Sequence, residues 1–576
     1  MKWTFVAIVT GVYISSIVVL VLYFPSKDDV DAADILRFCD RRMQILRRQM
    51  ESKVNKTISQ PLRVNSSNTK SDDFEQLGPG AYGAATNLDW DRMSPEDVQE
   101  RTRLLWKYDY DAFISDMVSV HRQLPDIRPQ VCRSRTYGPL PTASIIIPFR
   151  DERLSVLLRT VYSVLRKTPA QLFTEIILID DGSTTNELKT RLDTHLRLLP
   201  KVRVIRMRES VGLMVARQAG IDSARADYFV CMDCHVEPVT GWLEPLLQRL
   251  VENPKACLQS NVGIIRRDNF ATEFKWKQTT FPMFLFMLDE IHEPYRKEFL
   301  EGRNTSEPIP LGMVQGMVIA MKKSWFQTLG GFDPGMKVWG GEQVELSVKV
   351  WTCGGVVEMV PCSWVAHLFK QRIIWDVGVS RLTNVLRVAE VWLDQYKDVL
   401  QEYWPNLTKQ TQIDVGPDLA KRKLIRRKLH CKPFQYYVDT VQVFGHIHFP
   451  VDNIKHGWLI NNGTGKCLVL KEDVLALGDC SMYTALYQFF EYTSEQHLRH
   501  RGLCVCSNPN GKSSLTLAKC FSVASNISTW NYTDGYMKHV STGKCLTVTR
   551  EAHNFVLEPC LPGEPSQLWG WKLWNT

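Results

Sequence analysis

The stretch with the most evident chemistry is Phe229-Val230-Cys231-Met232-Asp233-Cys234-His235, an apolar run followed by an acid and, two positions on, a histidine. It reads as a buried strand emerging into a loop. A hard carboxylate and an imidazole at a strand's carboxyl end suit a divalent cation, which in turn suits a diphosphate. Asp-x-His also arises by chance in long chains, so its surroundings must carry the reading. Cys231-x-x-Cys234 offers the rival of half a zinc site, but no second such pair completes it. Two cysteines three apart on a strand also begin on opposite faces. A second acidic position is Asp180-Asp181, which closes Glu175-Ile176-Ile177-Leu178-Ile179.

Both motifs need strand ends to hold them, and the flanking pattern supplies these. Ser144 to Pro148, Glu175 to Asp180, Val202 to Met207 and Phe229 to Met232 read as strands. Leu154 to Arg166, Leu188 to Leu198, Gly212 to Ala224 and Trp242 to Leu250 carry apolar residues at helical spacing. Apolar strands alternating with helices predict an α/β, doubly wound, mostly parallel sheet with ligands at its carboxyl ends. Asp180-Asp181 and Asp233-Cys234-His235 both fall there. The absence of Gly-x-Gly-x-x-Gly after the first strand argues against an NAD dehydrogenase.

The whole chain of 576 residues is long enough for several domains, and its net charge of +8 is a mild excess. That excess permits anionic ligands, yet no nucleic-acid module accompanies it. Trp3 to Ser26 carries no charge and would make a helix of ~36 Å, enough for a ~30 Å hydrocarbon layer. Lys2 precedes it and Lys27-Asp28-Asp29-Val30-Asp31 follows. The expectation is a cytoplasmic tail at 1–2, a retained transmembrane anchor at 3–26 and a lumenal bulk. A cleaved signal peptide is the alternative, but no small-x-small site closes the run. Residues 27–85 are polar and broken, including Cys39 and Gly78-Pro79-Gly80-Ala81-Tyr82-Gly83, and read as a stem. Asn-x-Ser/Thr triplets at Asn55, Asn65, Asn304, Asn406, Asn462, Asn526 and Asn531, with 15 cysteines, fit an oxidising secretory compartment.

Further segments bear a family resemblance: Leu157-Leu158-Arg159-Thr160-Val161, Ile179-Asp180-Asp181, Gly241-Trp242-Leu243-Glu244-Pro245-Leu246-Leu247 and Val338-Trp339-Gly340-Gly341-Glu342. Cys353-Gly354-Gly355, Val360-Pro361-Cys362-Ser363 and His430-Cys431-Lys432-Pro433-Phe434 follow in order. Together they resemble the polypeptide N-acetylgalactosaminyltransferases. The resemblance implies a Golgi-type (GT-A) glycosyltransferase domain at 86–440 and a ricin B-type β-trefoil lectin domain at 452–576. It implies a single-pass type II Golgi membrane protein that moves GalNAc from UDP-GalNAc to Ser or Thr of protein acceptors, using Mn2+ and retaining the anomeric configuration. Asp233, His235 and His367 match the manganese ligands, and Asp181 matches the uridine-contacting acid. Cys234 holds the middle position, where the backbone meets the donor. Trp339 and Glu342 match the catalytic sugar and acceptor side. Glu345, Val348 and Trp351 after them read as an amphipathic helix. The resemblance also implies disulfides Cys132–Cys362 and Cys353–Cys431.

The pattern has departures. The family's Phe-His-Asn-Glu reads Phe149-Arg150-Asp151-Glu152. Its arginine-rich donor segment reads Ser210-Val211-Gly212-Leu213-Met214-Val215-Ala216-Arg217, so Ser210 stands at an arginine position and Arg217 alone remains. The glycine floor under the sugar is reduced to Gly316 between Gln315 and Met317. After His367 an arginine is replaced by Lys370, which keeps the charge but loses the fork. The closing loop shortens to Gln371-Arg372-Ile373-Ile374-Trp375-Asp376, without its tyrosine.

After Pro450 the chain changes to short strands and turns. Cys467-Leu468, Cys504-Val505 and Cys545-Leu546 open similar units that Cys480, Cys520 and Cys560 close at a 40-residue spacing, with Gln488-Phe489-Phe490 and Gln567-Leu568-Trp569 near repeat ends. This resembles a ricin-type trefoil. The natural pairing is Cys467–Cys480, Cys504–Cys520 and Cys545–Cys560, one staple per unit. Sugar-binding repeats of the family carry Cys-Leu-Asp, whereas the third positions here are Val469, Cys506 and Thr547. Two functions follow as expectations: an active transferase with an altered donor pocket, or a catalytically impaired partner- or glycoprotein-binding protein.

Overall fold

The computed structural model describes residues 78–572, with breaks at 276–279, 285–289, 371–377, 399–414, 416–417, 446–452, 472–473, 481–487, 501–502, 508–514, 521–524 and 550–554. The chain divides into units 1–71 and 72–576, and the described residues all belong to the second. The expected anchor at 3–26, the stem up to residue 77, Cys39, Asn55, Asn65, Asn406 and the 371–376 loop with Arg372 lie outside the described residues. Among the described residues no helix is long and apolar enough to cross a membrane.

Isoleucine-rich strands make the centre of the first domain. β1 (Ala143–Phe149) is buried at every position, and β2 (Phe173–Asp180) at all but Thr174. Alternation divides their side chains between two cores. Ile146, Ile177 and Ile179 enter one core, while Ile145, Ile147, Ile176 and Leu178 enter the other. With β3 (Val202–Arg206) and β4 (Tyr228–Met232) they pair in parallel, in the order β4-β1-β2-β3. Their carboxyl ends therefore share one edge.

Beyond β4 the expected mostly parallel sheet becomes mixed. Strand Val318–Lys322 runs antiparallel to both β4 and Ala256–Ile265, and Val356–Leu368 runs parallel to Ala256–Ile265. A parallel neighbour needs a helical crossover. The chain before Val318 instead holds the short strands Thr280–Phe284 and Glu290–Pro294 and the four-residue helix Lys297–Leu300. Two helix expectations also change. The 188–198 segment divides into a 3-10 turn, Asn186–Leu188, and a short helix, Thr190–Leu196. Helix Glu342–Thr352 is buried all round rather than amphipathic, since only Gln343 lies outside its buried set. It accommodates Glu345 by ion pairs to Lys349 at 2.9 Å and Arg422 at 2.7 Å.

Residues 80–86, read from composition as the end of a tether, lie against this body. Thr86 N–H donates to Asn269 O at 2.8 Å, and a Cβ on Gly83 would collide with Thr272. Disulfides Cys132–Cys362 and Cys353–Cys431 cross-link the domain.

The second domain is mainly β, starting at Asn453–Asn461, with a core that includes Leu459, Leu468, Phe490, Val505, Trp530, Leu546 and Trp569. Repetition is visible in its hydrogen bonds. Trp530 Nε1 donates to Val505 O at 2.7 Å, and Trp569 Nε1 donates to Leu546 O at 3.0 Å. Each acceptor directly follows the opening cysteine of its unit. The three staples, Cys467–Cys480, Cys504–Cys520 and Cys545–Cys560, are all formed.

Candidate active site

β4 ends at Met232, and the turn after it is held by Asp233 N–H donating to Met317 O at 3.1 Å. The chain then enters a short strand, Val236–Pro238, antiparallel to Val356–Leu368 with His367 opposite Val236. That register brings a histidine from 132 residues downstream beside His235, with ring centroids 4.8 Å apart. One ligand atom from each of Asp233, His235 and His367 lies within 4.8 Å of the others. His367 Nε2 stands 3.4 Å from Asp233 Oδ2, and both His367 ring nitrogens are buried without a well-formed hydrogen bond. Burial, with His235 and Lys370 nearby, lowers the His367 pKa to about 4 despite Asp233. Burial opposes the Asp233 carboxylate, but His367, Arg217 and His235 outweigh it and bring its pKa to about 2. A neutral imidazole beside an ionised carboxylate is a cation-ready donor set.

Behind this cluster lies a residue that the chain's motifs did not single out. Glu152, 3% exposed, follows β1 and receives Tyr110 Oη at 2.5 Å, Lys370 Nζ at 3.0 Å and the Arg153 N–H at 3.1 Å. Its Oε2 also lies 3.0 Å from His235 Nδ1. Burial opposes its charge, yet Lys370, His235 and Tyr110 hold the carboxyl well below its ordinary range. A proton on Nδ1 shared with Glu152 leaves Nε2 as the donor atom of His235. Only the Phe149-Arg150-Asp151-Glu152 stretch hinted at this acid; Tyr110 left no signal.

The acidic pair divides its work. Asp180 is structural, accepting from Ser183 N–H at 2.8 Å and Arg206 Nη1 at 2.5 Å. Asp181 faces the cavity, and its oxygens accept from Val211 N–H at 2.6 Å, Ser210 Oγ at 3.0 Å and Gly212 N–H at 3.2 Å. Ser210 in turn receives Arg150 Nη1 at 2.7 Å. A guanidinium thus reaches the Ser210 position from the end of β1.

Arg217, 1% exposed, joins the two halves of the site. Its Nη2 donates to Asp233 Oδ1 at 2.9 Å and Gly316 O at 2.6 Å, and its Nη1 lies 3.8 Å from Glu342 Oε1. Gly316 lets the guanidinium approach, since a Cβ there would sit 3.2 Å from Nη1. Glu342 is fully buried at the start of its helix, where Oε2 accepts the Gly340 N–H at 2.9 Å. Gly340 and Gly341 have φ of 94° and 90°, left-handed values that fold Trp339 back over the cavity. Burial raises the Glu342 carboxyl pKa, although Arg217 opposes this. The residues meet around a cavity of about 360 Å³ lined by Asp181, Cys234, Arg217, Gly316, Trp339 and Lys370 besides the Asp–His–His cluster. Acidic Asp181 and Asp233 and basic Arg217 and Lys370 share this cavity.

The lectin-side positions are closed. Val469, Cys506 and Thr547 are 3%, 0% and 5% exposed. Thr547 Oγ1 donates to Cys545 O at 3.2 Å and accepts from Gln567 Nε2 at 3.0 Å, so its hydroxyl serves the fold.

Family patterns match in three places: glycosyl transferase family 2 over residues 144–330, the N-terminal domain of galactosyltransferase over 301–371, and the ricin-type beta-trefoil lectin domain over 455–569. The chain is 34% identical over 524 residues to mouse polypeptide N-acetylgalactosaminyltransferase 6, covering 85% of this chain and 82% of that protein. It is 35% identical over 515 residues to the mouse polypeptide N-acetylgalactosaminyltransferase 4, covering 85% and 86%. Human polypeptide N-acetylgalactosaminyltransferase 10 is 33% identical over 520 residues, with 86% and 84% covered. Among solved structures, the crystal structure of GalNAc-T7 with UDP, GalNAc and Mn2+ superposes with a TM-score of 0.66 at 26% identity, covering 86% of this chain and 93% of that one.

Proposed function

Since this chain belongs to the polypeptide N-acetylgalactosaminyltransferase family, and is accordingly a glycosyltransferase, we propose that it transfers GalNAc from UDP-GalNAc to Ser or Thr of proteins, with Mn2+ and with retention. The observation that carries this reading is the convergence of Asp233, His235 and His367 beside Arg217 in one cavity, with Glu342 buried behind Arg217. Manganese fits the residues present: one carboxylate and two imidazoles, with His367 buried and lacking a hydrogen-bond partner. Bound there, it would neutralise charge developing on the departing diphosphate.

The chain's own groups do the positioning. Glu152 orients His235, Arg217 holds Asp233 and the Gly316 carbonyl, Trp339 bounds the sugar and acceptor side, and Glu342 stands buried behind Arg217. The acceptor hydroxyl attacks from the face that UDP leaves, and the leaving phosphate takes its proton. Lys370 spends its charge on Glu152, so it replaces a forked guanidinium poorly. Turnover is therefore slow. Each missing charge-assisted contact costs ~2 kcal/mol, and each ~1.4 kcal/mol lost from the transition state is tenfold in rate.

A second reading, a catalytically impaired binding protein, is favoured by Asp181, whose carboxylate is already engaged by Ser210, Val211 and Gly212. The deciding experiment measures manganese-dependent UDP binding, then transfer from several UDP-sugars to Ser/Thr peptides and GalNAc-bearing peptides. Slow GalNAc transfer supports the first reading. UDP binding with no transfer from any donor supports the second, and no UDP binding rejects both.

The same proposal places the protein in the Golgi membrane as a single-pass type II protein. Its support is the charge-free run at 3–26 and five disulfides that need an oxidising lumen. Protease added to sealed Golgi vesicles should spare everything after Lys27, and digestion of the lectin domain would overturn the topology.

A further inference from the structure

The Asp–His–His cluster has a neighbour of different chemistry. Cys234 Sγ lies 3.6 Å from Glu152 Oε2 and 3.6 Å from His235 Nδ1, and those two atoms are 3.0 Å apart. A tetrahedral zinc ion with bonds of ~2.3 Å to sulfur and ~2.0 Å to nitrogen and oxygen separates its ligands by about 3.3–3.6 Å. The three donors thus stand close to the spacing of one face of such a tetrahedron. Glu152 and Cys234 are 3% and 7% exposed, and all three residues line the cavity, which gives a cation its route in.

We infer that Glu152, Cys234 and His235 form a second cation site, selective for thiophilic dications of the zinc and cadmium class. Softness separates it from the first site, because a thiolate favours zinc whereas a carboxylate with two imidazoles also accepts manganese. On binding, the S–H bond of Cys234 gives way to a sulfur–metal bond and its proton passes to solvent, while His235 exchanges its Nδ1 proton for one on Nε2, with no electron transferred. Cys231, the other half of the Cys-x-x-Cys pair, takes no part. It sits within β4, and the remaining donors come from the end of β1 and from His235.

Two features make this site regulatory. Lys370 Nζ already stands 3.0 Å from Glu152 Oε2, so a dication enters in exchange for that ammonium. His235 is common to both clusters, and a neutral imidazole has a lone pair on only one nitrogen. A cation held through Nδ1 therefore withdraws His235 from the Asp233–His367 side. Thiophilic metal and manganese exclude each other.

The test titrates the full chain with Cd2+ alone and follows the ultraviolet thiolate-to-cadmium charge-transfer band. The expected result is a band that saturates at a single equivalent, is lost in Cys234→Ser and persists in His367→Ala. Lys370→Met, which leaves every donor in place, binds cadmium several-fold more tightly, and added Mn2+ weakens cadmium binding to the wild type. A band that survives Cys234→Ser, or cadmium affinity in Lys370→Met that is unchanged or weaker, overturns the inference. Because nucleotide and transfer play no part, the result stands apart from the transferase reading.

Discussion

The catalytic and lectin domains have treated their inherited polar positions in opposite ways. Around the catalytic cavity the key atoms are buried yet left open: neither His367 ring nitrogen has a well-formed hydrogen bond, and Asp233 stays ionised beside Arg217. Around the trefoil the matching third positions of the repeats are buried and occupied. Val469 and Cys506 lie inside, and the Thr547 hydroxyl is spent on Cys545 and Gln567. Buried polar atoms without partners are costly, so they persist where a ligand supplies what is missing. The third positions of the trefoil repeats, by contrast, are closed by packing. The contrast reads as a ligand site on one side and a retained frame on the other.

The sharpest way to break this contrast is to remove a donor from the open cluster. His367→Ala or Asp233→Asn should abolish manganese-dependent UDP binding, a larger loss than the ~10–100-fold typical of removing a supporting partner. Calorimetry with UDP and Mn2+ decides it, and unchanged affinity would sink the metal assignment. Glu152→Gln comes next, with manganese affinity falling ~10–100-fold, because His235 loses the partner that orients it.

The lectin half should respond in stability and not in binding. Thr547→Asp puts a carboxylate against the Cys545 carbonyl and should cost about 1–3 kcal/mol in denaturant unfolding, without retention of the full chain on GalNAc resin. Retention of either the wild type or this variant, reversed by free GalNAc, would show that the frame still reads sugar.

The smallest effect concerns the helix that carries Glu342. Burial lowers the Lys349 pKa from its ordinary 10.5 to about 8 despite Glu345. Between those values the unfolded chain holds the extra proton, so this group adds stability as pH rises through the window. The stability of the wild type relative to Lys349→Met should increase by about 1–2 kcal/mol between roughly pH 7.5 and 9.5, at ~1.4 kcal/mol per pKa unit. A flat difference across that range would show that Lys349 titrates normally.

Much of this was legible along the chain because it is local. Continuous isoleucine runs, helices with period 3.6 and evenly spaced cysteines each announce themselves within a short window. Asp233 and His235 were visible for that reason, as were Asp181 and the trefoil staples. The mixed sheet was not, since strand direction after β4 depends on how the chain returns and not on the residues of Val318–Lys322. Glu345 misled for a related reason: an acid at a helical position signals a solvent face unless cations pair with it inside, as Lys349 one turn on and the distant Arg422 do.

Residue types and spacing by themselves determined the alternating α/β core, the repeat of the second domain, and the strand ends where a cation and a diphosphate would meet. Tertiary structure alone decided which groups share that place. It set His367 opposite Val236, sent Glu152 behind His235, carried Arg150 to Ser210, and enclosed Thr547. The physical reason is range. Hydrophobic periodicity acts over a few residues and is written in order along the chain. Hydrogen bonds, ion pairs and coordination act over about 3 Å between groups of any sequence separation, and only the packed sheet brings those groups together.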